Sequence, residues 1–253
     1  MARSFISIKR LADEPYSHIL GYPRASKRQI RSRMVELEKL GVSSISFSGP
    51  TVLDGVAVLG KGYVGVVVLA KRNGKMVALK IRRTDSQRDG MREEKIMLEA
   101  ANSVHVGPKV LVAGRNFLVM EYVDGIRIGR WLDTLAGAGR AKKLKNVVRD
   151  VLDDCYRLDE AGLDHGELSN ISKHVMVRGL RPVLIDFDSS STKRRPSNVT
   201  SITQAMFIGS GIAKKIQKIY KNPPKSSIIV ALRAYKQSGT RESFEGLLDV
   251  LRV

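Results

Sequence analysis

The chain of 253 residues is longer than a typical single domain of about 100 to 150 residues, so we expect two lobes or a domain with an appended segment. Its apolar content of 43% is that of a globular protein, and no apolar run reaches the roughly 20 residues that a membrane-spanning helix needs. The amino terminus lacks the pattern of a secretory signal, so we expect a cytoplasmic protein without a membrane partner.

The net charge of +19 favours a polyanionic partner, for which RNA or a ribonucleoprotein is the natural candidate. Basic residues concentrate near the amino terminus and after Asp188. A generally basic surface without such a partner is the alternative. The single cysteine, Cys155, excludes an internal disulfide, and the scattered histidines argue against a zinc site.

Residues 1–49 are predicted to form a basic, mainly helical extension. Apolar side chains from Ile30 to Leu40 recur at helical spacing, which predicts a helix over 26–40 with Ser26 as its N-cap. A strand is predicted at 42–47. The extension is either a small winged-helix reader of nucleic acid or a helical segment packed on the next domain.

Residues 50–119 are predicted to form a sheet with one helix. Strands are predicted at 52–59, 63–70 and 75–82, and a hairpin at 110–122. Between them we expect a helix capped by Thr84 or Asp85. Its core-facing positions are predicted to be Ile96, Met97 and Ala100, with Glu94 also directed inward.

Residues 120–125 form a predicted hinge, and residues 126–253 are mainly helical. Helices are predicted at 128–135 and 140–161 and near 199–219, 225–237 and 241–251, with a hairpin over 174–186.

Three features carry chemistry. Gly60, Gly62 and Gly65 precede a strand rather than a helix, which favours a phosphate flap over a dinucleotide-binding turn. Lys80 is a lone cation in an apolar strand and needs a partner if it points inward. Asp186 ends another apolar strand, where a carboxylate is costly unless it binds an ion such as Mg²⁺.

These features resemble protein kinases in their order along the chain. The matching motifs are Gly60-Lys-Gly62-Tyr-Val-Gly65, Val77-Ala-Leu-Lys80, Glu94, Leu118 to Asp124, His165-Gly-Glu167 and Ile185-Asp-Phe-Asp188. Over residues 52–190 the chain looks like a small archaeal serine/threonine protein kinase-like protein, similar to the RIO kinases and to the kinase subunit of the tRNA threonylcarbamoylation (KEOPS) complex.

The resemblance implies an α+β class and a bilobal fold. A five-stranded antiparallel sheet with one helix would form the first lobe, over residues 50–119, and a reduced helical lobe would follow the hinge. It also implies a nucleotide site, whose predicted lining comprises Leu59, Gly60, Lys61, Gly62, Gly65, Val67, Ala78, Lys80, Glu94, Met120, Glu121 and Val123.

The resemblance further implies catalytic roles. Lys80 would pair with the nucleotide phosphates, and Glu94 would fix that lysine. Glu167 stands where kinases have the catalytic aspartate and would orient the acceptor hydroxyl and take its proton. Asp186 would bind Mg²⁺, or Mn²⁺ in its place, and Asp188 could add a second carboxylate.

The chain departs from the kinase pattern in places. The family's second metal-binding asparagine is replaced by Ser172, so Asn170 and His174 are alternative ligands. No Ala-Pro-Glu segment follows Asp188. The polar run from Ser189 to Thr192 is either an autophosphorylation site or a disordered turn.

The sequence therefore predicts an ATP-dependent, Ser/Thr-directed phosphotransferase, an atypical protein kinase acting on a protein hydroxyl. Two alternatives stay open. One is an ATPase switch on a ribosomal or tRNA-processing particle, and the other is a pseudokinase whose ligand is RNA.

Overall fold

The computed structural model describes residues 4–209 and 211–253. The first three residues of the predicted extension, and Ser210 in the predicted helix over 199–219, lie outside the described residues. The chain divides into a first unit, Met1–Glu99 with Lys109–Tyr122, and a second unit, Ala100–Pro108 with Val123–Val253.

The first unit opens with the basic extension. Its elements are β1 (Ile6–Ser7), α1 (Tyr16–Leu20), α2 (Lys27–Lys39) and β2 (Val42–Ser46). Helix α2 has the predicted cap: Ser26 Oγ accepts from the Gln29 N–H at 3.2 Å, and the Gln29 side chain accepts from the Ser26 N–H at 2.8 Å. This reciprocal capping box satisfies two donors that would otherwise lack partners.

The rest of the first unit is mainly strand. Its elements are β3 (Thr51–Leu53), β4 (Val56–Val58), β5 (Gly60–Lys61), β6 (Gly65–Arg72), β7 (Lys75–Arg82), α3 (Arg92–Ser103, which continues into the second unit), β8 (Val110–Ala113) and β9 (Phe117–Glu121). The prediction of one strand over 52–59 is wrong. The chain turns back at Asp54 and Gly55, both with left-handed φ (47° and 82°), and the hairpin directs Leu53, Val56 and Val58 into the core.

The main sheet has seven strands rather than the predicted five. Its order is β1-β2-β6-β7-β9-β8, with β5 also paired to β6, and the named pairs are antiparallel. Strands β1 and β2 come from the extension, with Ile45 of β2 opposite Ala70 of β6, and β5 takes the place of the predicted strand over 52–59, whose residues form a separate two-stranded sheet as β3 and β4. One face of the sheet, including Val68 and Leu79, shares a core with Leu20 and Leu37 of the extension.

Helix α3 begins at Arg92, so the predicted caps are wrong. Thr84 Oγ1 instead donates to the Arg24 carbonyl at 2.6 Å, and Asp85 Oδ2 lies 2.6 Å from the Arg83 guanidinium. The prediction for Ile96 is also wrong, because this side chain is 45% exposed, and the predicted core positions Met97 and Ala100 are only half-buried. The buried face of α3 is formed by Met91 just before it and by Glu94, Leu98 and Ala101, at spacings of three and four residues.

The second unit is mainly helical. It contains β10 (Ile126–Arg127), α4 (Ile128–Thr134), α5 (Arg140–Glu160), α6 (Ile171–His174), β11 (Val175–Arg178), β12 (Arg181–Leu184), α7 (Asn198–Phe207), α8 (Gly211–Gln217), α9 (Lys225–Ser238) and α10 (Arg241–Leu251). Strands β10, β11 and β12 form a small antiparallel sheet. Helix α5 buries the predicted face that runs from Leu144 to Leu158.

The α+β class is confirmed, with an antiparallel sheet in the first unit and helices dominating the second. Among the described residues, no helix combines the length and apolarity required to span a membrane.

Candidate active site

Lys80 and Glu94 form a buried ion pair in the first unit. Lys80 Nζ lies 2.7 Å from Glu94 Oε1, and both side chains are about 3% exposed. Strand alternation turns Lys80 away from its neighbours Leu79 and Ile81, while the period of α3 turns Glu94 inward. The predicted pairing is therefore present. Removing one partner would leave the other charge buried, so the two depend on each other.

The sheet register places the other predicted nucleotide residues on the face that carries Lys80. Val67 lies opposite Lys80, and Ala78 lies opposite Met120. Residues directly opposite each other in an antiparallel pair share a face. Ala78 is buried, whereas Leu59, Val67 and Met120 are half-buried. An apolar surface thus surrounds the lysine. Of the remaining predicted lining residues, Glu121 is the last residue of β9, and Val123 is the first residue of the longer segment of the second unit.

The glycine-rich segment makes a tight turn between β5 and β6, and a strand follows its third glycine as predicted. The Gly62 N–H donates to the Gly65 carbonyl at 2.8 Å. A Cβ on Gly65 would lie 2.8 Å from the Ile81 carbonyl oxygen, so this glycine is required by close approach of β7. Lys61 Nζ donates to the Tyr22 hydroxyl at 2.8 Å, which ties the connection to the extension.

His165 anchors residues 163–170, the candidate catalytic loop of the second unit. Its side chain is fully buried, its Nε2 lies 3.2 Å from the Ile185 carbonyl oxygen, and its ring centroid is 4.7 Å from that of Phe187. The His165 N–H donates to Asn198 Oδ1 at 2.8 Å. Burial, with a smaller contribution from His174, lowers the pKa of His165 to about 4. The imidazole is therefore neutral near pH 7 and serves to join the loop to the end of β12.

Glu167 is oriented by contacts on both carboxylate oxygens. Its Oε1 accepts from Ser189 Oγ at 2.5 Å, and its Oε2 lies 2.9 Å from His174 Nε2. His174 Nδ1 lies 3.4 Å from the Ile185 carbonyl oxygen. The Glu167 side chain is 43% exposed. A carboxylate that is oriented by such contacts and still partly exposed can receive a proton from a neighbouring hydroxyl.

Asp186 and Asp188 place two carboxylates close together. Their oxygens lie within 4.8 Å of each other, and both residues are half-buried. Asp186 has a left-handed φ of 70°. Two convergent carboxylates fit a hard divalent cation such as Mg²⁺. Asn170 Oδ1 accepts from Ser172 Oγ at 2.9 Å, and both His174 nitrogens are in contact with other groups, so their roles as metal ligands stay predictions.

Several residues around this site were missed by sequence reasoning. Arg127 of β10 donates to the Lys173 carbonyl, and burial lowers its pKa although the charge of Asp186 acts in the opposite direction. Arg194 Nε lies 2.9 Å from Asp164 Oδ2. Asn198 bonds both ends of the Leu163–His165 segment. The only sequence signal for Arg127 is that a basic residue follows shortly after the hinge. The contacts of Arg194 and Asn198 join residues that are more than twenty positions apart in the sequence.

A sheet with a buried lysine-glutamate pair, together with a helical unit carrying His-Gly-Glu and Asp-Phe-Asp segments, is typical of the protein kinase class. The RIO domain family matches residues 68–204, which is more than half of the chain. The chain therefore belongs to the RIO domain family, whose members are atypical protein kinases and ATPases, and it is an enzyme of this class.

Among solved structures, the chain is similar to the Rio2 kinase-ADP/Mg²⁺-phosphoaspartate complex from Chaetomium thermophilum. The sequence identity is 16% and the TM-score 0.43, with 97% of this chain and 92% of that chain covered. No curated protein sequence matches significantly.

Proposed function

We propose that this enzyme transfers the γ-phosphoryl group of ATP to a serine or threonine hydroxyl. The buried pair of Lys80 and Glu94 carries this proposal. Burying two charges is costly, and hydrophobic residues would fill the same space at less cost. A lysine fixed on an otherwise apolar face, beside Val67 and Ala78, suits a ligand that joins a flat base to phosphates.

The first unit would bind the nucleotide. Lys80 would contact the α and β phosphates, with its ammonium held in place by Glu94. The predicted adenine slot would use Leu59, Val67, Ala78 and Met120 with the backbone of Glu121 and Val123. Backbone N–H groups of the segment from Gly60 to Gly65 would approach the phosphates, because the missing side chains leave room.

The second unit would bind the metal and the acceptor. Asp186 and Asp188 would hold Mg²⁺, with Mn²⁺ as an alternative ion and Asn170 or His174 as a further ligand. When bound, the ion neutralises charge that develops on the transferred phosphoryl group. Glu167 would orient the acceptor hydroxyl and take its proton. Compared with aspartate, the extra methylene of Glu167 lengthens its reach, and the contact with His174 limits where the carboxylate can go.

The test is transfer of radiolabelled γ-phosphate to the chain itself and to a general protein acceptor, combined with binding of a fluorescent ADP. Lys80→Ala and Asp186→Asn should lose both transfer and Mg²⁺-dependent binding. Glu167→Gln should bind the nucleotide but not transfer. Lys75→Ala, an exposed position on the same strand as Lys80, is the matched control. If Lys80→Ala binds and reacts like the wild type, the proposal fails.

A second candidate is an ATPase switch that contacts RNA or a ribonucleoprotein. The net charge of +19 favours it, as does α2, which exposes Lys27, Arg28, Arg31 and Lys39 on the side away from the core. RNA-stimulated phosphate release without phosphoprotein would support the switch.

RNA affinity that falls steeply with salt, without any ATP binding, would instead support an RNA-binding pseudokinase. The cytoplasmic location and the archaeal and KEOPS relationships stay predictions.

A further inference from the structure

The segment after Asp188 lies directly on the candidate catalytic loop. The N–H and carbonyl of Asp164 pair with the carbonyl and N–H of Ser191, both at 2.9 Å. Arg194 adds a clamp, since its Nε lies 2.9 Å from Asp164 Oδ2 and its Nη2 donates to the Ser189 carbonyl at 2.5 Å. The backbone at Ser189 is therefore held by the Arg194 bond to its carbonyl and by the pairing of Ser191 with Asp164.

Three consecutive serines in this segment have different hydroxyl partners. Ser190 Oγ donates to the His165 carbonyl at 3.3 Å, and Ser191 Oγ accepts from the Lys193 N–H at 3.1 Å. Ser189 Oγ alone among them donates to Glu167, at 2.5 Å from Oε1. A short bond of this kind is typical of a hydroxyl donating to a carboxylate.

Gly166 makes this approach feasible. It has a left-handed φ of +86°, and a Cβ at this position would lie 2.6 Å from the Ser189 carbonyl oxygen. The glycine between His165 and Glu167 thus lets the Ser189 backbone reach the catalytic loop. The hydroxyl then occupies the place that a substrate hydroxyl would need at Glu167.

We propose that Ser189 is a phosphoryl acceptor within its own chain. The inference rests on the proposed function and identifies one hydroxyl among the candidates Ser189 to Thr192. In the step, Ser189 Oγ forms a bond to the γ-phosphorus of ATP while the bond from that phosphorus to the β–γ bridging oxygen breaks. The hydroxyl proton passes to Glu167 Oε1, and the products are phosphoserine and ADP.

The modification would change the site. A phosphoserine carries a charge near −2 and would lie beside the carboxylates of Glu167 and Asp188. Like-charge repulsion should therefore displace the segment from the loop. Glu167 would then be accessible to an acceptor from another molecule, so the unmodified segment also acts as a block.

The test begins with the full-length wild type, incubated with Mg²⁺ and ATP and analysed by mass-spectrometric site mapping over a dilution series. We expect phosphate on Ser189 and a rate constant that does not change on dilution, because the acceptor belongs to the same chain. Ser189→Ala should lose the label, and Ser189→Thr should retain some of it. Ser190→Ala is the matched control and should be labelled like the wild type.

A second readout needs no turnover. Fluorescent ADP with Mg²⁺ should bind Ser189→Ala about as tightly as wild type, whereas Ser189→Glu, with an added carboxylate, should bind more weakly. If the wild type does not bind ADP, the proposed function fails together with the inference. If ADP binds but the label lies on another residue, or the rate constant rises with protein concentration, the inference alone is overturned. Mapping on the wild type decides this even if a variant fails to fold.

Discussion

Glu36 accepts two hydrogen bonds from Asn116, one from its backbone N–H at 2.8 Å and one from its side-chain amide at 2.7 Å. The Asn116 side-chain oxygen in turn accepts from Arg33 at 3.3 Å and from Arg82 at 3.1 Å. Burial, with the charge of Arg82, lowers the pKa of Arg33 to about 10. This network joins helix α2 of the extension to the turn between β8 and β9.

We expect Glu36→Ala to destabilise the protein by about 2 to 4 kcal/mol, because it removes the acceptor of two bonds and a charge that faces Arg33. Glu38→Ala is the control, since Glu38 lies on the same helix but is exposed, and it should change stability by no more than about 0.5 kcal/mol. Urea unfolding of both variants gives the comparison. Equal losses of unfolding free energy in the two variants would show that the network does not stabilise the packing of the extension on the sheet.

The Lys80–Glu94 pair predicts strong coupling in a double-mutant cycle. Each of Lys80→Met and Glu94→Leu should cost about 3 to 5 kcal/mol of unfolding free energy, because each leaves one buried charge behind. The double variant should be more stable than the sum of the single effects predicts, although it should not bind nucleotide. Additive effects in urea unfolding would contradict a mutual dependence of the two charges.

Gly65→Ala should be more harmful than Gly60→Ala. A Cβ on Gly65 would meet the Ile81 carbonyl at 2.8 Å and Lys80 Cγ at 3.0 Å, whereas the space around Gly60 is open within 4 Å. We expect a loss of about 1 to 3 kcal/mol for Gly65→Ala and weaker nucleotide binding through a displaced Lys80. Thermal unfolding and ADP titration of the two variants test this. A Gly65→Ala protein as stable as Gly60→Ala would show that β7 can move away.

The low pKa of the buried His165 should cause a specific loss of stability in acid. Its folded pKa of about 4 lies below the ordinary value of 6.5, so the unfolded chain takes up a proton first as the pH falls. This contribution to stability is complete above pH 6.5 and decreases toward pH 4, by about 3 kcal/mol in all. His165→Asn should remove this part of the pH dependence of urea unfolding. The exposed control His105→Asn should keep it, and an unchanged profile in His165→Asn would contradict the assignment.

Features that follow local periodicity were predictable from the sequence. The Ser26 cap, the strand after Gly65 and the inward direction of Glu94 each depend on a few neighbouring residues. The caps at Thr84 and Asp85 were wrong because these side chains bond to Arg24 and Arg83 instead. The strand over 52–59 was wrong because its apolar run concealed the turn at Asp54 and Gly55.

The arrangement of the second unit's site was less predictable. The residue types at Glu167, Asp186 and Asp188 were recognised, but the contact between Glu167 and Ser189 joins positions that are 22 apart. The clamp from Arg194 to Asp164 joins positions 30 apart. Such contacts depend on how two loops pack together, and no local pattern records that packing.

Asp186 combines an acidic side chain with the left-handed backbone noted above, which glycine adopts at less cost. Asp186→Gly should therefore relieve up to about 1 kcal/mol of backbone strain but also lose the carboxylate whose charge acts on Arg127, and it should lose Mg²⁺-dependent nucleotide binding, as thermal unfolding and ADP titration would show. An aspartate at this position thus has a conformational cost that a glycine would avoid, as expected of a residue retained for its chemistry rather than for its backbone.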